Sequence, residues 1–331
     1  MRLLYLNDEH IRAIGLDWGE LVDSMETAVR IMDSGDYAQP LKPYLRYRNP
    51  RNRIIAMPAY AGGPMQAAGI KWIASFPGNL DAGLPRAHSV TLLNKADTGV
   101  PYAMLNTPLP SAARTAAVSG LMIRHYLKAR GAGHLLRLGI IGFGPVGRLH
   151  YDMCCRLYGD RLDRVSVYDI RGSRPGMDSP ELAGTAPELR KLTMHAGSWQ
   201  ELYDESDLVI TCTVSSERYI DRPPASGTLL LDVSLRDFKA SAISGVKAVI
   251  VDDWLEVCRE NTDIELLHKE HGLEQAGTRS IADVVCRGAL ADFPQEEPVL
   301  FCPMGMAVFD IAVAHHMVMR AEALGIGIRL P

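Results

Sequence analysis

At 331 residues the chain has length for two domains, and with 47% hydrophobic and 22% charged residues it has the composition of a folded globular protein, not a disordered one. A formal charge of −4, with no Lys/Arg-rich run interleaved with aromatics, argues against nucleic acid as a partner. The six cysteines lack CxxC or metal-ligand spacing, which predicts buried free thiols in a reducing compartment and no metal site.

At the start, Met1-Arg2-Leu3-Leu4-Tyr5-Leu6 runs directly into polar Asn7-Asp8-Glu9-His10, which is not a leader pattern. A cytoplasmic protein is expected. The opening residues up to Gly35 read as two short amphipathic helices, the clearer over 23–32 with Gly35 as its stop. From 40 to 107 the texture changes to short runs broken by Gly and Pro. Arg53-Ile54-Ile55-Ala56-Met57, Gly69-Ile70-Lys71-Trp72-Ile73 and His88-Ser89-Val90-Thr91-Leu92-Leu93 are strand candidates, with Asp97-Thr98-Gly99 as a turn. They predict an antiparallel sheet. The Ala-rich stretch 111–130 predicts a helix capped by Ser111 and stopped by Gly131.

The most informative motif lies mid-chain: Gly142-Phe143-Gly144-Pro145-Val146-Gly147, behind the apolar run Leu138-Gly139-Ile140-Ile141. A helix is predicted over 145–158, then a second strand, Val165-Ser166-Val167-Tyr168, ending in Asp169. Strand, glycine loop, helix, strand and acid at this spacing are what a dinucleotide site requires. The glycines allow the tight turn and close backbone approach, while the helix N-terminus offers N–H groups to phosphate. Further elements follow at 199–205, 207–213, 229–235 and 248–252. Such alternation predicts an α/β fold with a doubly wound parallel sheet. The last long apolar stretch, from 301 to 319, is interrupted by Pro303, Gly305, Asp310, His315 and His316. It reads as a buried or interface helix, not a membrane span.

Several polar residues stand where chemistry is done. Asp169, at the second strand's end, is placed for the adenosine ribose and favours NAD over NADP, although Arg171 weakens that preference; a plain turn aspartate is the alternative. Thr211-Cys212-Thr213-Val214 closes a parallel strand and belongs beside the nicotinamide end. Lys71 interrupts an apolar strand, and is either an edge residue or a desolvated acid/base with a lowered pKa. Arg114, in the first turn of the predicted Ala-rich helix, suits a carboxylate clamp. Asp237, Asp252 and Asp253 all follow strand ends, and position alone does not choose among them.

Together these features resemble the ornithine cyclodeaminase/mu-crystallin family. The marks are Met57-Pro58-Ala59, Lys71, Asp97-Thr98-Gly99-Val100-Pro101, Arg114-Thr115-Ala116-Ala117, the glycine loop and a closing segment with Gly305 and Asp310. The resemblance implies a central NAD-binding Rossmann domain over 119–303. It also implies an α+β substrate and dimerisation domain built from both chain ends, 1–118 and 304–331, in a homodimer. It assigns Arg114 to the substrate carboxylate, with Met57 in the same pocket, and Lys71 and Asp237 to acid/base work.

Within the family the likeness is to members that cleave N-(2-amino-2-carboxyethyl)-L-glutamate oxidatively, releasing 2-oxoglutarate and L-2,3-diaminopropionate for siderophores. Ornithine-acting members carry a glutamate where this chain has Ile55, and the usual Gly-Ala-Asp is here Leu235-Arg236-Asp237. Arg46 and Arg53 are further carboxylate partners on this reading. Cyclisation of ornithine or lysine, reduction of a cyclic imine, and non-catalytic ligand binding are the alternatives.

Overall fold

The computed structural model describes residues 3–131, 135–172 and 190–331. They divide into two compact units: Met1–Arg114 with Gly305–Pro331, and Thr115–Met304.

The first unit is built on an eight-stranded sheet. Its order is Ile328–Leu330, Leu3–Asn7, Pro101–Asn106, Ala87–Lys95, Ala67–Ser75, Arg53–Ala61 and Tyr37–Ala38, with Tyr44–Leu45 also on Arg53–Ala61. The strands Arg53–Ala61, Ala67–Ser75, Ala87–Lys95 and Pro101–Asn106 pair antiparallel, as expected, but the sheet extends beyond them. Leu3–Asn7 pairs in parallel with Pro101–Asn106, so the sheet is mixed. The described residues open on the strand Leu3–Asn7, followed by helices Asp8–Ile14 and Trp18–Ser34. Only Leu4 and Leu6 alternate inward in so short a strand, too little period to read. The second helix runs well beyond 23–32, because the Asp17 side chain caps it at Glu20 N and left-handed Gly35 ends it.

The three strand candidates lengthen to Arg53–Ala61, Ala67–Ser75 and Ala87–Lys95. One sheet face packs against the carboxy-terminal helix Ala307–Leu324, which also lies against Trp18–Ser34. A helix covered on two sides has to be apolar nearly all round, as Val308, Phe309, Ile311, Ala312 and Val313 are here. No helix among the described residues is long and apolar enough to cross a membrane.

The second unit carries an all-parallel sheet of eight strands. They are ordered Thr193–His195, Leu162–Tyr168, Leu136–Ile141, Leu208–Thr211, Leu229–Asp232, Val299–Cys302, Ala248–Val251 and Thr278–Ser280. The central strands are buried along their whole length, as a sheet covered on both faces demands. This is the doubly wound fold that the alternation predicts. Three of its strands lie outside the sequence reading. Val299–Cys302 is the instructive one, because Phe301 and Cys302 had merged into the apolar run that follows. The strand expected over 229–235 stops at Asp232, since the chain turns sharply there. That over 207–213 stops at Thr211, leaving Cys212 and Thr213 in the following loop.

From Leu136–Ile141 the chain winds outward through two strands, then returns to Leu208–Thr211 on the opposite side. The carboxyl ends of these two neighbours form the switch point where ligands sit in such sheets.

Candidate active site

The glycine loop lies at that switch point. Gly142 has φ +92°, and a Cβ there would fall 2.7 Å from the Cys212 carbonyl carbon, so only glycine passes. A Cβ on Gly147 would fall 2.1 Å from the Gly142 carbonyl oxygen, which shows how closely the helix Pro145–Tyr158 packs on the turn. A Cβ built on Gly144 would meet nothing within 4 Å, and no side chain caps the helix that starts after it. Uncapped N–H groups at a helix end facing open space fit a pyrophosphate. Phe143 is fully buried, edge-on to Tyr151 at 5.7 Å. Pro145 and Val146 open the helix, and the Val146 carbonyl accepts from buried His150 Nδ1 at 2.8 Å. Burial pushes that imidazole down to about 4, so it stays neutral.

Asp169 stands just past Leu162–Tyr168. Its Oδ2 accepts from Phe143 N at 2.9 Å, and Arg171 grips both oxygens, Nε to Oδ1 and Nη2 to Oδ2, each at 3.0 Å. Burial pushes this carboxyl up, but the bonds from Arg171 and Phe143 outweigh it and hold it below the usual range. The residues of the loop therefore fit a dinucleotide: a cradle for phosphates and an acid at the ribose end.

Thr211 bonds buried Asp232, Oγ1 to Oδ1 at 3.2 Å, and Cys212 N donates to Ile141 O at 2.7 Å, pinning the loop to the glycine strand. The Cys212 thiol lies 3.7 Å from His150 Nδ1, and desolvation pushes its pKa up, away from the thiolate. Val214 is exposed. Thr213 has the clearest task, donating its hydroxyl to Asp237 Oδ1 at 2.5 Å. Ser234 donates to the other oxygen of Asp237. Asp237 is buried, and burial pushes its pKa up against these hydroxyl donors.

Its two rivals are occupied elsewhere. Asp253 caps the helix Trp254–Val257 through Glu256 N, while Asp252 accepts from Met304 N at 3.0 Å. Arg236, beside Asp237 in sequence, turns its guanidinium to the Glu260 carbonyl, at 2.9 Å through Nη2.

In the first unit, Lys71 is buried, so it is not an edge residue with its head in water. Its Nζ donates to Asp310 Oδ2 at 2.7 Å and to Ser111 Oγ at 3.0 Å. The other oxygen of Asp310 accepts from Arg114 Nε at 2.9 Å. One carboxylate thus bridges two cations. Burial pushes Asp310 up, but Arg114 and Lys71 outweigh it and hold the acid below its ordinary value. Burial drives Lys71 down to about 7 against the pull of Asp310, with Arg114 adding to the fall. Gly305, at φ +86°, lets the guanidinium lie on bare backbone, since a Cβ would fall 2.5 Å from Arg114 Nη1. The Gly305 carbonyl accepts from buried Lys42 Nζ at 2.7 Å.

Ser111 is not a helix cap. The helix is Leu109–Arg130, with Leu109 N donating to Thr107 Oγ1 at 3.3 Å, because Pro110 is compatible with a first turn. Arg114 consequently falls in the second turn rather than the first. Met57 pairs in register with Lys71 on the neighbouring strand and is buried. Arg46 and Arg53 gather on one ring, their guanidinium carbons 4.7 and 5.8 Å from the centre of Tyr44.

Asp310, Ser234 and Asp263 escaped the sequence reading as site residues. Asp310 left a signal, a lone carboxylate between Phe309 and Ile311 in an apolar helix.

A Rossmann unit with a glycine cradle, joined in one chain to a unit carrying a buried Lys–Asp–Arg cluster, defines a dinucleotide-binding protein. The chain belongs to the ornithine cyclodeaminase/mu-crystallin family, whose sequence model matches residues 13–324. It is 32% identical to the N-((2S)-2-amino-2-carboxyethyl)-L-glutamate dehydrogenase of Staphylococcus aureus, over 99% of this chain and 98% of that protein. Among solved structures, the Δ1-pyrroline-2-carboxylate reductase of Thermococcus litoralis, in complex with NADH and L-proline, superposes with a TM-score of 0.87 at 24% identity, covering 99% of this chain and all of that one. An archaeal alanine dehydrogenase dimer with bound NAD gives 0.78 at 22% identity, covering 100% and 99%. The two structural likenesses speak for the fold.

Proposed function

We propose that this chain is an NAD-dependent dehydrogenase that cleaves N-((2S)-2-amino-2-carboxyethyl)-L-glutamate to 2-oxoglutarate and L-2,3-diaminopropionate. The observation that carries an amino-acid substrate is the Lys71–Asp310–Arg114 cluster, in which two cations share one buried carboxylate. Arg114 spends Nε on Asp310 and keeps its Nη edge for a substrate carboxylate. The narrower choice of substrate rests on the 32% identity across the whole chain. It also rests on apolar Ile55, where an ornithine-acting enzyme would need an anion for the distal amine. Arg46 and Arg53 serve the additional carboxylates of such a substrate.

Bound NAD supplies the hydride acceptor for the glutamate α-carbon. The secondary amine must first lose its proton. Lys71, driven down to about 7, is in a range to take it; Asp237, whose carboxyl burial pushes up, is the other candidate acid/base. After oxidation, water adds to the C=N carbon, and the same groups return a proton to the departing diaminopropionate nitrogen. The balance is substrate, NAD and water in; 2-oxoglutarate, diaminopropionate, NADH and a proton out.

The working unit on this reading is a homodimer. On the sheet face away from the carboxy-terminal helix, Ala56, Trp72 and Val90 align across three strands, beside Pro58, Ile70 and Leu92. Trp72 on that face is 43% exposed, and an apolar sheet face of this kind suits a second copy of the chain.

The test is to mix purified protein with NAD and the proposed substrate, following NADH absorbance with mass spectrometry on the products. Stoichiometric NADH, 2-oxoglutarate and diaminopropionate are expected. No NADH from protein that binds NAD would overturn the substrate, and ornithine, lysine and cyclic imines would be tried next.

A further inference from the structure

We propose that Tyr219 is a positioning residue for Asp237: its phenol joins the Thr213 and Ser234 hydroxyls in holding that carboxyl in its ionised form. Two of these donors are in place. Thr213 Oγ1 donates to Oδ1 at 2.5 Å, and Ser234 Oγ donates to Oδ2. A carboxylate offers about four acceptor sites, so these two do not fill it.

The backbone brings Tyr219 to the same place. Tyr219 N and Ile220 N both donate to the Asp237 carbonyl, at 3.1 and 2.9 Å, and Lys239 N donates back to the Ile220 carbonyl at 2.8 Å. Ile220 and Phe238 thereby form a parallel bridge that lays the two segments side by side. The Tyr219 ring is pinned as well. It meets Trp199 at 5.5 Å, edge to face, and both rings pack on the core of the unit.

The Tyr219 hydroxyl is buried and has no hydrogen-bond partner among the described residues. A buried hydroxyl without a partner works against the fold, so its place beside Asp237 points to an acceptor there. Burial and the Asp237 charge push the phenol up, so it stays protonated and remains a donor. In return, the surrounding hydroxyls, that of Tyr219 among them, pull the Asp237 carboxyl down against its burial. An ionised Asp237 gains from one more donor, whereas a protonated one does not. Tyr219 therefore favours the form of Asp237 that can take a proton.

The other titratable groups that feel Asp237 are Asp232, Asp263 with Arg218 upon it, and Cys212. All of them stay in place when the Tyr219 hydroxyl alone is removed. Tyr203 supplies the contrast. Its hydroxyl is also buried without a partner, and its ring lies 6.3 Å from both Trp199 and Phe238. The charge that acts on it is Asp204, not Asp237.

The experiment is a carbon-13 NMR titration of the full chain labelled at the aspartate carboxyl carbons. Wild type, Tyr219→Phe and Tyr203→Phe are compared, and Asp237→Asn identifies the signal of Asp237. Tyr219→Phe is expected to raise the Asp237 midpoint by about one pH unit, the value of one hydrogen bond to a charged group. Tyr203→Phe should leave it where it is. An unmoved midpoint in Tyr219→Phe, or an equal shift in both variants, would overturn the proposal.

The bearing on turnover rests on the acid/base work proposed above for Asp237. On that reading Tyr219→Phe slows NADH formation by about tenfold, and Tyr203→Phe does not. A raised midpoint together with no NADH from wild type would overturn the proposed reaction and leave the role of Tyr219 at Asp237 standing.

Discussion

Asp263 holds the backbone of Asp237: its Oδ2 accepts the amides of Asp237 at 3.1 Å and Phe238 at 2.9 Å, while Oδ1 takes Arg218 Nε at 2.5 Å. The candidate acid Asp237 is thus itself held by a second, buried acid. Removing Asp263 would leave three donors without their acceptor, one of them charged. Asp263→Ala should cost about 3 kcal/mol or more, read from urea unfolding of the full chain. Burial pushes Asp263 up to about 6, so its contribution is fully present below about 4 and is lost as pH rises through 6. The stability difference between wild type and Asp263→Asn should accordingly vary with pH across that window. A difference that stays flat would contradict the raised pKa.

The same turn carries strain. Leu235 has φ +67°, in the left-handed region, where its N donates to Asp232 Oδ1 at 2.9 Å and its carbonyl accepts from Asp263 N at 2.8 Å. Strain of this kind costs about 1–2 kcal/mol, whereas burying a leucine is worth about 2–5 kcal/mol, and Leu235 is buried in the core of the unit. Packing wins, so both Leu235→Ala and Leu235→Gly destabilise. Glycine, which sheds the strain, should be the milder of the two by about 1 kcal/mol, a reversal of the usual order. Equal unfolding midpoints would show that the strain has been absorbed elsewhere.

Asp310→Asn would leave Lys71 and Arg114 with no anion between them. Their repulsion and the lost ion pairs should cost about 3 kcal/mol of stability. Turnover should fall by at least about a hundredfold, the scale of a misplaced general acid/base, with NADH affinity unchanged because the glycine loop is untouched. Steady-state kinetics and NADH titration on the same preparation separate the two effects. Retained turnover would remove the cluster from the reaction.

Lys71 gives a second pH signature. Its ammonium is pushed down to about 7 from an ordinary value of 10.5, so between these limits the unfolded chain binds the extra proton. Stability contributed by neutral Lys71 is therefore present at high pH and is lost as pH falls through 7. Lys71→Met should flatten the rise in unfolding free energy between pH 7 and 10. The oxidative rate should also climb through a limb near 7 in wild type. A limb unmoved in a partly active Lys71→Arg variant would assign it to another group.

Trp72 tests the sheet face. Trp72→Glu places a charge on an apolar surface and should convert a dimer to monomers in light scattering at micromolar concentration. A dimer that survives the change would relocate the interface.

Much of the second unit was legible in the sequence because its determinants are local. The glycine loop, the helix behind it and Asp169 lie within one βαβ stretch, and the apolar runs of a buried parallel sheet are visible without knowing their neighbours. The misplacements were local as well: Ser111 as cap, the strand lengths after 207 and 229, and the first strand. Only the first strand has its partners far along the chain, at Pro101–Asn106 and Ile328–Leu330; the others turned on caps and bends two or three residues away.

What the sequence determined by itself is the alternation that makes a Rossmann unit, the phosphate cradle and the candidates Lys71, Arg114 and Asp237. What only the tertiary structure decided is how those candidates are held. Asp310 reaches Lys71 across 239 positions of sequence, and Asp263 reaches Asp237 across 26. A side chain's burial, its partner and hence its charge state are set by groups brought close in space. No spacing within one element encodes them, which is why Lys71 read as edge residue or acid until its surroundings were known.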